Sequence, residues 1–128
     1  MKEEIDVFAE KAEKFEEAAR YFADREIYDL SAFHIEQAMQ LYIKFILAKE
    51  LGYFPRTHSL TKLFQELGRL DESFNEFYRE KELILKAIED AYILSRYFPR
   101  IYSKREVEEM LKVLGEFKRR FGKWLSRD

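Results

Sequence analysis

Residues 28–67 read YDLSAFHIEQAMQLYIKFILAKELGYFPRTHSLTKLFQEL, and this stretch decides the fold. From about Leu30 to Leu51 its apolar residues recur at helical spacing. Ala32, Ile35, Met39, Tyr42 and Ile46 form one stripe, and Phe33, Leu41, Phe45 and Ala48 form a second, turned away from the first. A helix that is apolar on more than one side belongs in the middle of a bundle. At roughly 1.5 Å per residue it is about 30 Å long, the height of a small bundle. Gly52 suits a left-handed cap and Pro55 forbids continuation, so the end of the helix is marked.

The flanking segments read as helices that pack around it. Between about Glu3 and Ala23, Ile5, Phe8, Ala12, Phe15, Ala19 and Phe22 step by three and four, a bundle seam. Thr57 or Ser59 caps a short third helix carrying Leu60, Leu63, Phe64 and Leu67, which Gly68 ends. Asp71 caps a long fourth helix, about Glu72 to Tyr97, with Ile84, Ile88, Ala91 and Ser95 on one stripe. Leu83, Ala87, Leu94 and Phe98 form a second stripe, which predicts broad burial, and Pro99 stops the helix. Ser103-Lys104-Arg105-Glu106 is a capping box for a last helix along Val107, Met110, Leu114, Phe117, Phe121 and Trp124. No segment alternates as a strand does. The expectation is an all-α antiparallel bundle of four to five helices, up-and-down, in a single domain over residues 1–128.

Composition narrows the function classes. With 47% hydrophobic and 16% aromatic residues, the 128-residue chain can build a real core. It has no cysteine, which excludes disulfides and thiolate metal sites. No apolar run approaches the roughly 20 residues of a membrane span, and the acidic start MKEEIDVFAEKAEKFEE lacks a secretion signal's apolar core. The expected location is the cytoplasm. The high charge content and a single asparagine, Asn75, fit a thermophile. Residues 1–95 carry 13 basic and 20 acidic side chains, whereas residues 96–128 carry 10 and 5. A basic final third attracts phosphate-bearing partners, or else the acidic remainder of the chain. The 21 aromatic side chains are more than one small bundle hides easily, which points to a homodimer.

Most familiar chemistries have no residues to carry them. There is no glycine-rich phosphate loop, no H-E-x-x-H, and His34 and His58 lack metal-ligand spacing, so neither a metal nor a cofactor is expected. Glu89 and Asp90 diverge by about 100° on a helix, and a surface role suffices for them. Lys44, among apolar neighbours, is expected to snorkel to solvent. The candidate site is the segment Ser95-Arg96-Tyr97-Phe98-Pro99-Arg100-Ile101-Tyr102. Arg96 has two readings: a structural arginine paired with a carboxylate such as Glu36, or a phosphate clamp with Arg100 and Tyr102 beside it. His58, at a helix start where the dipole disfavours its charged form, is a cap or packing residue or a weak catalytic candidate.

Residues 32–44, A-F-H-I-E-Q-A-M-Q-L-Y-I-K, followed by G-Y-F-P-R-T-H-S-L-T-K-L at 52–63, resemble the small prokaryotic HEPN-domain family. The likeness lies in its Q-x(3)-(aliphatic/aromatic)-x(2)-K helix and its T-H-S-L turn. The later S-R-Y-F-P and the helix opening S-K-R-E-V-E resemble the same family's R-Y-P segment and final helix. The resemblance covers about Glu13 to Phe121. It implies a homodimeric four-to-five-helix bundle working beside a minimal nucleotidyltransferase, often as a toxin–antitoxin pair. Active members are metal-independent ribonucleases with an R-x(4–6)-H motif. Arg96 matches the arginine, but Ile101, Tyr102 and Ser103 stand where the histidine would be. Toxins of this kind are silenced by adenylylation of a tyrosine near that histidine. Tyr102 is close to that position, though outside the R-x4-H-x-Y register, and is the modification candidate.

Three functions follow from the resemblance. The first is a nucleotide- or RNA-phosphate-binding module, with lost or weak catalysis, partnering a nucleotidyltransferase. The second is a ribonuclease toxin in which His58 or Tyr102 replaces the missing histidine. The third is a substrate-binding subunit for the transferase. Phosphate binding needs only the arginines. Catalysis by a tyrosine with a pKa near 10 is poorly matched to neutral pH.

Overall fold

A computed structural model describes residues 2–98 and 100–127. Among them the chain forms six α-helices and no strand: α1 (Lys2–Asp24), α2 (Tyr28–Leu51), α3 (Leu60–Leu70), α4 (Glu72–Glu80), α5 (Glu82–Tyr97) and α6 (Lys104–Arg120). A 3-10 turn, Gly122–Leu125, follows α6. The all-α bundle expected from the periodicity is the fold that forms.

Helix α2 is its axis. It packs against α1, α3, α5, α6 and the final 3-10 turn, and both of its apolar stripes are used. Ile35, Met39, Ile43, Phe45, Ile46 and Leu47 are all fully buried. At roughly 2 kcal/mol per large side chain, that burial is a main source of the bundle's cohesion. Gly52 takes φ 80°, the left-handed cap expected of it, and its N–H reaches Ala48 O at 2.9 Å. Around the far end of the molecule, Phe64, Phe74, Phe77, Phe117 and Phe121 stack into one aromatic cluster joining α3, α4 and α6.

Three sequence expectations are corrected. Gly68 does not end α3, which continues to Leu70; Asp71 terminates α3 and caps α4 by accepting from Ser73 N at 3.1 Å. Gly68 is instead a point of close approach, since a Cβ there would lie 2.1 Å from Asn75 Oδ1. The long fourth helix is two helices, broken at Lys81 (φ −112°, ψ 18°). Lys81 occupies the seam position between Phe77 and Leu85, and its ammonium turns aside to Glu116 at 2.9 Å. The second stripe of α5 is buried only in part: Ala87 and Leu94 are half-buried, while Leu83 is 86% exposed and Phe98 55%. Helix α5 packs against α2, α3, α4 and α6, and the ends of this stripe lie outside the cover of those contacts. Pro99, expected to stop this helix, lies outside the described residues.

The capping box of α6 forms as expected, with Glu106 N donating to Ser103 Oγ and Ser103 N to Glu106 Oε1. Much of the basic final third serves the acidic remainder of the chain. Lys118 pairs with Glu16, Arg120 with Glu80 and Arg127 with Glu13.

Glu16 is the hub of α1, α2 and α6. Its carboxylate accepts from Tyr42 Oη at 2.8 Å, Lys118 Nζ at 2.8 Å and Arg20 Nη2 at 3.0 Å. Burial would raise its pKa, but these three donors together outweigh burial and hold it below the usual carboxylate value. A depressed carboxyl stabilises the fold above its unfolded pKa, and that stability is lost as pH falls through the folded one. Glu16→Gln is therefore expected to lower stability at neutral pH by about 1–2 kcal/mol. The gap from wild type should close as the pH drops below 4.5, measured by urea unfolding across pH.

Candidate functional site

The site begins with a polar row inside the buried helix. Glu36, Gln40 and Lys44 recur every four residues on α2, so they share one line of its surface. Glu36 is fully buried. It accepts from Gln37 Nε2 at 2.6 Å and from Gln40 Nε2 in a short hydrogen bond. Burial is the dominant influence on its carboxyl and pushes the pKa up to about 7, despite the amide donors and the charges of Lys44 and Arg96. Lys44, half-buried, has its own pKa lowered by burial, with Glu36 opposing.

Gln40 carries this row outward to the turn that precedes α3. Its amide nitrogen lies 3.1 Å from His58 Nδ1 and 3.4 Å from His58 O. The turn itself is held from two sides. Ser59 Oγ accepts from Lys62 N, while Glu89 reaches across from α5 to accept from Leu60 N at 2.5 Å and Thr61 N at 3.3 Å. A carboxylate on the first free N–H groups of a helix satisfies them and complements the dipole. Glu89 is thus a connecting residue, not the surface residue expected. With the turn fixed, the exposed His58 stacks on Tyr92 of α5, ring centroids 3.9 Å apart. Burial first, then the charges of Lys44 and Arg96, lower the His58 pKa and so favour its neutral form. An open groove of about 430 Å³ runs past His58, Ser59, Asp90, Tyr92 and Ile93.

Arg96 arrives at the same tyrosine from one turn further along α5. Its guanidinium carbon lies 4.5 Å from the Tyr92 ring centre, 4.6 Å from Tyr97 and 4.8 Å from Phe33. Nε donates to Tyr92 O at 2.8 Å, and the side chain forms no ion pair among the described residues, with Glu36 included. Arg100 and Tyr102 stand apart from this arrangement. Arg100 is paired to Glu106 at 2.6 Å and lies over the Tyr102 ring at 3.9 Å. Tyr102 is 5% exposed, with its hydroxyl buried and without a hydrogen-bond partner among the described residues. A modifying enzyme would not reach that hydroxyl in this conformation.

The structure therefore joins Arg96 to His58, two sequence candidates that lie 38 positions apart, and adds Gln40, Glu36, Tyr92 and Glu89. The four-residue spacing of Glu36, Gln40 and Lys44 on an otherwise apolar helix was the signal in the sequence for the first two. His34 is a packing residue: its Nδ1 donates to Leu30 O at 2.7 Å and its ring lies against Phe15, Phe22 and Phe33.

Glu36 has the opposite pH linkage to Glu16. A carboxyl raised from 4.5 to about 7 favours the fold when protonated, and that stability is lost as pH rises through the folded pKa. Glu36→Gln should match wild type in acid and exceed its stability by about 3 kcal/mol at alkaline pH. Urea unfolding of both proteins below 4.5 and above 7 measures the difference.

A family model described as HEPN domain matches residues 5–124. No curated protein and no solved structure matches the chain. Since the family model spans nearly its whole length, the chain belongs to the HEPN domain family.

Proposed function

We propose that this protein is a nucleotide- or RNA-phosphate-binding module of the small prokaryotic HEPN type, a single domain acting as a homodimer. In this reading it works beside a minimal nucleotidyltransferase in a toxin–antitoxin-like pair in the cytoplasm. The observation that carries it is Arg96. An exposed guanidinium with no ion-pair partner among the described residues, its Nε bonded to Tyr92 O and its carbon close to three aromatic rings, is oriented before any ligand arrives. Its two terminal nitrogens have no partner among the described residues and suit phosphate oxygens, and the exposed Tyr97 ring beside them suits stacking with a base. Family membership supports the nucleotide or RNA character of the ligand.

The apolar side chains around Arg96 favour the dimer. Ile93, Tyr97, Phe98 and Ile101 are all exposed, Ile101 by 90%. A two-fold axis through this patch would cover them and bring two Arg96 side chains toward one cleft. Light scattering is expected to give twice 15.6 kDa for wild type, and Ile101→Asp to give 15.6 kDa with the helical spectrum unchanged.

One observation favours ribonuclease activity as a second reading: Arg96 and His58 meet at Tyr92, an arginine and a histidine assembled through space. Incubating wild type with a short single-stranded RNA in EDTA separates the two readings, since binding without cleavage leaves the first. In the same assay Arg96→Ala should weaken RNA or AMP binding by about one to two orders of magnitude. Its melting temperature should change little, because the ring contacts and the hydrogen bond that are lost are solvent-exposed and no ion pair among the described residues goes with them.

A further inference from the structure

The contacts of Gln40 determine where His58 carries its proton. The Gln40 amide nitrogen faces a Glu36 carboxylate oxygen, the His58 carbonyl at 3.4 Å and His58 Nδ1 at 3.1 Å. A backbone carbonyl can only accept, so an amide oxygen turned that way would set two acceptors against each other. The group facing His58 is the NH2: one hydrogen goes to Glu36, the other is shared between His58 O and Nδ1, and a protonated Nδ1 would set a second donor against it, so Nδ1 accepts. We propose that Glu36 and Gln40 hold His58 as the neutral tautomer with its proton on Nε2, making it a hydrogen-bond donor to a phosphate oxygen beside Arg96.

The inference rests on the phosphate-binding reading and assigns His58 a part in it. His58 Nε2 has no partner among the described residues, and the side chain is exposed at the open groove. Stacking on Tyr92 fixes the plane of the ring, so the Nε2–H direction is fixed with it. The charged groups around the ring are Glu36 and Lys44 from α2 and Arg96, Glu89 and Asp90 from α5. Two cations already serve the site, and a third charge would be repelled by them; a neutral donor is not. In this tautomer Nε2 also lacks the lone pair needed to take a proton from a ribose hydroxyl, so His58 binds a phosphodiester and does not cleave it.

Long-range proton–nitrogen correlation spectra of the labelled protein at about pH 8 read the tautomer directly. The expected result is a protonated Nε2 and an unprotonated Nδ1; a proton on Nδ1 overturns the inference. The ligand role is read by titrating AMP and a short single-stranded RNA into wild type, His58→Gln and His58→Leu. Glutamine presents an N–H near the Nε2 position, so His58→Gln should stay within about threefold of wild type while His58→Leu weakens binding about tenfold. Equal loss in both variants, or none in His58→Leu, overturns the inference while leaving Arg96 as the phosphate ligand. Failure of wild type to bind either probe overturns the phosphate reading itself and the ligand half of this inference with it.

Discussion

A helix buried over most of its surface can keep a polar side chain there only where a neighbouring group satisfies it, and α2 lives under that constraint. Its apolar residues supply the cohesion of the bundle. Its few polar residues dictate where other elements must supply partners, because an unsatisfied buried polar group costs about 1–3 kcal/mol. Glu36 is met from within the helix by Gln37 and Gln40. Gln40 in turn requires an acceptor outside it, and the turn before α3 provides His58. Ser31 is answered by α1, donating to Ala19 O at 2.7 Å, and Tyr42 by Glu16 of the same helix. The path from core to surface follows from this requirement.

Two buried glutamates illustrate how surroundings decide chemistry. Glu16 receives two cations and a phenol hydroxyl, and stays ionised as a strut between three helices. Glu36 receives only amides, with cations near but not touching, and its proton is held until about pH 7. The same side chain is a structural ion in one place and a proton-binding group beside the site in the other. The difference lies in what each neighbouring helix brings.

Much of the fold was legible before any coordinates. The two-sided stripe of α2, the left-handed Gly52, the capping box at Ser103 and the seam of α1 are local patterns, set by spacing and backbone preference alone. Local patterns also misled. The second stripe of α5 has the spacing of a buried face, yet Leu83 and Phe98 at its two ends stay largely exposed. Gly68 looked like a terminator because glycine often is one; here its missing side chain admits Asn75 from the next helix.

The sequence by itself determined the fold class, the central helix, and Arg96 and His58 as residues that needed an explanation. Only the tertiary structure decided that these two belong together while Arg100 and Tyr102 form a separate pair. Helical periodicity specifies which face of each helix is buried, but not which residues of different helices meet. That depends on how α5 lies against α2 and on Glu89 holding the turn before α3, contacts between residues far apart in the chain. Such contacts leave no periodic trace, because each is made once.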